Sequence, residues 1–182
     1  MGTDWGPGMR WRPHEGKDGN RYELQHLHPF QMTVNLQAKG QHPERDVTVH
    51  VSFSLHCFTR KRLEDDGTRE SYRDHREVRT FCAQRFRLSH GLPDIVRELP
   101  KRRCGLAKND NFLTIDMPAE GLRYGVFFNV RRLKSAGPNS VELVVQSAYA
   151  LDPGKPLPPS QPVTFATILG KALTGAKIAN KR

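Results

Sequence analysis

Four clusters of basic side chains hold the residues best suited to chemistry: Arg60-Lys61-Arg62, Arg85 with Arg87, Lys101-Arg102-Arg103, and Arg131-Arg132. A guanidinium offers a planar fork of N–H donors that fits two oxygens of one phosphate, so arginines repeated along an element can grip successive phosphates. Phe81, Phe86, Phe127, Phe128 and Tyr149 stand near these clusters, and an exposed ring can stack on a base. The plainer reading makes the rings core and the arginines a solvated face. The stretch "QSAY", Gln146 to Tyr149, adds a second feature, because hydrogen-bonding side chains end the apolar run that starts at Val141. By strand period Ser147 and Tyr149 keep the phase of Val141, Leu143 and Val145. Tyr149 is then either a buried anchor with a bonded hydroxyl or part of the rim of a cleft.

The charge balance points the same way as the clusters. Lys plus Arg number 29 against 19 Asp plus Glu, a net charge of +10, which favours a polyanionic partner. Nucleic acid is the simplest, RNA ahead of DNA; an acidic protein inhibitor would use the same charge. No apolar run approaches the roughly 18 residues of a membrane span and no secretion signal is evident, so the expectation is a cytoplasmic protein without a membrane partner. Three cysteines without a CxxC read as reduced thiols. His56, Cys57, Cys82, His90 and Cys104 are metal-ligating types, but they lack paired ligand spacing. No phosphate-binding loop, HExxH or GxSxG is present either. Neither metal nor cofactor is expected.

These residues need a scaffold. Residues 1–29, rich in Gly, Pro, His and charge, read as a flexible tail, pinned at most by Trp5 or Trp11. Residues 30–152 read as one domain. "FQMTVNLQ" and "VTVHVSFSLHCF" alternate, the latter with Val47, Val49, Val51, Phe53, Leu55 and Cys57 on one face. "VRTFCAQRFRLS" reads as a further strand, which sets Arg85 and Arg87 on the same face. Leu92, Ile95, Val96 and Leu99 stand at i, i+3, i+4 and i+7, a short helix opened by Pro93 and closed by Pro100. "NFLTIDM", "YGVFFNVRRL" and "VELVVQSAY" are strands, the last two joined by the turn-forming "KSAGPNS". Residues 153–162 are a Pro-rich linker unable to carry a sheet ladder. Residues 163–182 form a basic helix with an apolar stripe of Phe165, Ile168, Leu169 and Leu173, docked on this domain or on a partner. Lys171, Lys177, Lys181 and Arg182 face outward. The fold class is α+β: an antiparallel sheet of about five strands with one short helix, plus a C-terminal helix after the linker.

A helix on a small antiparallel sheet, basic strands, and a last strand ending in "QSAY" resemble the RelE-like and barnase-like ribonuclease superfamily. Some of its branches end the last core strand in a Thr/Ser-x-Tyr motif. The resemblance covers about residues 46–152 and implies metal-independent RNA cleavage of a toxin-like kind. The chain also resembles a group of bacterial proteins. On that reading His90, at the junction before the short helix, takes the 2′-hydroxyl proton, since an imidazole titrates near neutrality; the plainer reading has it cap the helix at "SHGLP". Arg87 and Arg131 stabilise the phosphorane, and Ser147 and Tyr149 orient the phosphate. Arg60, Lys61, Arg62, Arg85, Lys101, Arg102, Arg103 and Arg132 supply the nucleic-acid-binding surface. The competing class is a non-enzymatic RNA- or DNA-binding protein or protein-interaction adaptor, of bacterial or mobile-element origin.

Overall fold

The computed structural model describes residues 10–107, 111–117 and 120–175. A two-stranded ribbon comes first, β1 (His14–Glu15) with β2 (Arg21–Tyr22). The alternating segments then form β3 (Phe30–Leu36) and β4 (Arg45–Phe53), an antiparallel hairpin registered Phe30 to Val51 and Leu36 to Arg45. β4 stops at Phe53, short of the strand expected through Cys57. Ser54 accepts a hydrogen bond from the His56 N–H at 3.1 Å and starts a 3-10 turn, Leu55–Cys57, that still buries Leu55 and Cys57.

A small sheet follows, in the order β5 (Thr59–Arg60), β7 (Val78–Phe81), β6 (Ser71–Arg73). The segment expected as one strand divides. Val78–Phe81 is β7, but Ala83–Ser89 is a helix, α1. Phe86 and Leu88 imitate strand alternation in a helix of barely two turns, too short for the two periods to be told apart. The expected short helix is α2 (Leu92–Arg97) with Pro93 in its first turn, continued by a 3-10 turn to Lys101. Leu92, Val96 and Leu99 are buried along it.

The principal sheet has seven strands rather than about five. β8 (Arg103–Leu106), β9 (Asn111–Met117), β10 (Leu122–Arg132), β11 (Ser140–Ala150) and β12 (Gln161–Thr164) join β3 and β4 in the order β12-β8-β9-β10-β11-β4-β3. "KSAGPNS" makes the β10–β11 hairpin connection, with Gly137 at φ +112° where a side chain would be strained. One pairing departs from the antiparallel expectation: β11 runs parallel to β4, Ser140 beside Thr48 and Val145 beside Phe53. The Pro-rich linker also ends in the sheet, because Pro162 sits in edge strand β12, where its missing N–H costs no ladder bond.

α3 (Phe165–Thr174) opens on Thr164, whose hydroxyl accepts from the Thr167 N–H at 3.3 Å, and closes on left-handed Gly175. It packs on β10 and β11 of its own domain. All four residues of its expected stripe are buried. Lys177, Lys181 and Arg182 lie outside the described residues, as does Trp5. Residues 11–29 are not a loose tail. Trp11, Leu24 and Leu27 are buried in the same core as Val49, Leu143 and Phe165. Among the described residues no helix is long and apolar enough to cross a membrane.

Candidate nucleic-acid interface

The helical form of α1 separates Arg85 from Arg87. Two residues apart on a helix of 3.6 residues per turn, they leave on opposite sides instead of sharing a face. Arg87 points out and pairs with Glu120 at 2.6 Å. Arg85 turns in, donating to the carbonyls of His56 at 2.9 Å and Thr59 at 2.8 Å. Its guanidinium lies 4.9 Å from the centre of the Tyr149 ring, which stacks on Phe127 at 5.4 Å. Burial pushes the Arg85 pKa down from its ordinary value. Arg85 is therefore occupied in joining the 55–59 segment to β11.

A bulge decides how Tyr149 sits. Ser147 pairs with Phe127 and Val145 with Phe128, so Gln146 has no partner across the strand. Ser54 holds this point, donating from its N–H to the Val145 carbonyl at 2.9 Å and from its hydroxyl to the Gln146 carbonyl at 2.5 Å. The extra residue breaks the expected phase. Ala148 takes the buried place after Val145, and Tyr149 moves to the other face, half-buried on Phe127.

The other expected site residues go to separate partners. Arg131 pairs with buried Glu142, at the far end of the β10–β11 ladder from Tyr149. His90 is exposed and stacks on His26 with ring centres 4.0 Å apart. His26 in turn meets the Ser89 hydroxyl at 2.8 Å, and burial first, then His90 and His28, push its pKa down to about 4. Lys101 pairs with Glu98, Arg103 donates to the Pro162 carbonyl, and Arg102 and Arg132 are exposed. Arg60 is clamped by Asp66 through two bonds of 2.7 and 2.5 Å. Cys57 and Cys104 are buried, and burial pushes their thiols up to about 12 and about 11.

Arginines without carboxylates collect elsewhere. The segment from Arg10 to Glu15 and the segment from Ser71 to His75 line a cleft of about 570 Å³. Alternation in the first segment turns Trp11 inward and leaves Arg10 and Arg12 exposed. Trp11 donates from its indole to the Phe53 carbonyl at 3.1 Å and meets Phe58 edge-on. Tyr72, half-buried, bonds the Arg12 carbonyl at 2.8 Å and leaves Arg73 outside. His14 stacks on Phe81 at 4.3 Å. Buried aromatic residues thus fix the backbone, and Arg10, Arg12, Arg73 and His75 reach the cleft from two segments. Arg62 joins its margin through the Ser71 hydroxyl at 2.9 Å. Of the two carboxylates there, Asp74 accepts from the backbone N–H groups of Arg76 and Glu77, and Glu15 pairs with Arg21. Among the described residues, Arg10, Arg12, Arg62 and Arg73 make no ion pair with a carboxylate.

The turn that carries His75 also carries Glu77. His56 bonds Glu77 at 2.5 Å, Glu77 pairs with Arg79 at 3.3 Å, and Arg79 bonds the Thr59 hydroxyl at 3.0 Å. His56 foremost, with Arg79 adding to it, holds the Glu77 carboxyl below its usual range against the opposing cost of burial. Both side chains of the His56–Glu77 pair remain about a third exposed, at 34% and 39%.

Sequence reasoning found Arg62, weighed His56 only as a metal-ligating type, and missed Arg10, Arg12, Arg73 and Glu77. The alternation Arg10-Trp11-Arg12 was a usable signal for an ordered segment, although β1 begins only at His14. Nothing local announced its meeting with residues 71–75.

The model of the YjaZ family matches residues 13–173. The chain belongs to the YjaZ family. No curated protein and no solved structure matches it. The family match takes in Arg62, Arg73, His75 and the His56–Glu77 pair of this YjaZ chain, and begins just after Arg12.

Proposed function

We propose that this YjaZ-family protein binds the phosphate backbone of nucleic acid in the cleft between residues 10–15 and 71–75. One observation carries the reading: arginines free of carboxylates converge there from two segments. Each can fork onto phosphate oxygens, and Tyr72 is near enough to the surface to flank a base. RNA is the first ligand to try, because the likeness to RelE-like and barnase-like ribonucleases implies it. An acidic protein would compete for the same charges. Three free thiols fit a reducing compartment such as the cytoplasm.

The test is binding of a labelled single-stranded RNA across a salt series, for the natural chain and for Arg10→Ser/Arg12→Ser/Arg73→Ser. The natural chain loses affinity steeply as salt rises. The triple variant binds about a hundredfold more weakly, and its salt slope falls by about 2. Unchanged affinity and slope overturn the reading.

The His56–Glu77 pair, held by the turn that carries His75, favours a second reading, metal-independent RNA cleavage. His56, oriented by Glu77, takes the 2′-hydroxyl proton. The 2′ oxygen then bonds to phosphorus as the bond to the 5′ oxygen breaks, and the leaving oxygen takes a proton from solvent. Cleavage in EDTA that is lost in His56→Ala supports it. Intact RNA that stays bound leaves the protein a non-enzymatic binder.

A further inference from the structure

A second cavity, of about 480 Å³, lies between the β3–β4 connection and α3. Leu36, Ala38, Pro43, Ala166 and Gly170 give it apolar walls, and Lys39, Arg45 and Lys171 bring positive charge to it. No carboxylate lines it. Among the described residues those three cations make no ion pair, although Arg60, Arg79, Arg87, Arg97, Arg123 and Arg131 all do. The nearby Asp46 carboxylate is taken by the Asn35 amide at 2.9 Å.

Gly170 keeps the groove open. A Cβ added there meets nothing within 4 Å, so no packing contact inside the chain requires glycine. A glycine inside a helix forfeits roughly 1 kcal/mol relative to alanine. α3 carries that cost and gains an empty, apolar strip facing unpaired cations.

We propose that this groove binds a free straight-chain carboxylate: the acyl chain lies along Leu36, Ala38, Pro43 and Gly170, and the carboxylate meets Lys39, Arg45 and Lys171. The charge pattern sets the sign of the ligand, and the apolar walls set its tail. The volume falls within the roughly 300–1,000 Å³ of small-ligand sites. The site is separate from the arginine cleft and does not rest on the nucleic-acid reading.

Calorimetry on the full chain tests it with decanoate and with decyltrimethylammonium, which has the same tail and opposite charge, both below micelle formation. Decanoate binds with a single-site isotherm and the ammonium compound does not. Gly170→Leu fills the strip, leaves the fold intact because the position is open, and weakens decanoate about tenfold or more. Lys39→Glu/Lys171→Glu weakens it by a similar factor through the head group. Equal binding of both surfactants, no binding of decanoate, or full binding by Gly170→Leu each overturns the proposal. So does concentration-dependent self-association abolished by Gly170→Leu, which identifies a second copy as the occupant.

Discussion

Arg85 in α1 and Arg73 in β6 meet opposite surroundings. Arg85 enters the fold, where two carbonyls and the Tyr149 ring take up its guanidinium. Arg73 stands at the cleft beside Arg10 and Arg12, with no carboxylate partner among the described residues. A buried polar network that is satisfied locks a structure; an unsatisfied cationic surface is available to a ligand. Net charge does not separate these two fates. The partners the fold assigns to each group do.

The contrast breaks most sharply at Arg85. Arg85→Met leaves the His56 and Thr59 carbonyls without their donor and removes the ring contact, at about 2–4 kcal/mol of stability. Arg73→Met changes stability by no more than about 0.5 kcal/mol. Urea unfolding measures both, and equal losses erase the distinction.

Acid provides the next test, at the other side of α1. His26 titrates at about 4 when folded, below its ordinary 6.5. Between those values the unfolded chain binds more protons, so stability is complete above 6.5 and declines as pH falls toward 4. The ring is only half-buried and solvent screens part of the effect, which leaves a loss of about 1–2 kcal/mol. Urea midpoints from pH 7.5 to 4.5 fall for the natural chain and fall less for His26→Gln. Parallel curves mean that α1 is not anchored through this ring.

Gly170→Ala shortens the scale and reverses the sign. It raises stability by about 0.5–1 kcal/mol because the position is open, and leaves RNA affinity unchanged. Thermal unfolding with a binding titration checks both. The smallest effect is Arg73→Lys, which keeps charge but loses the fork and costs a few-fold in RNA affinity. Arg132→Lys, remote from the cleft, costs nothing in the same titration.

Elements with a long, regular signal were readable from sequence. β4 alternates from Val47 to Phe53, "KSAGPNS" joins β10 to β11, and the α3 stripe is buried at all four positions. Segments with a brief or weak signal were not. Seven residues of α1 carry too few turns to distinguish period two from 3.6. Residues 11–29 looked polar on average, yet Trp11, Leu24 and Leu27 are buried in the core, and His14, Tyr22 and His26 pack on Phe81, Phe86 and His90. The bulge rests on one residue, Gln146, and it reverses the face of everything after it. For the site, Arg62 could be picked from its cluster. Arg10, Arg12 and Arg73 needed knowledge of which distant segments meet.

The parallel ladder between β4 and β11 constrains how the chain is made. Val49 must wait for Val141, roughly ninety residues later in synthesis, which at 5–20 residues per second is about 5–20 s. Until then the β3–β4 hairpin has an open, Val-rich edge, the kind of template on which other strands add. Growth of the nascent chain, more than the equilibrium stability of the finished domain, sets the interval in which this protein is exposed to misassembly. Slower translation lengthens it, and a chaperone that shields strand edges covers it.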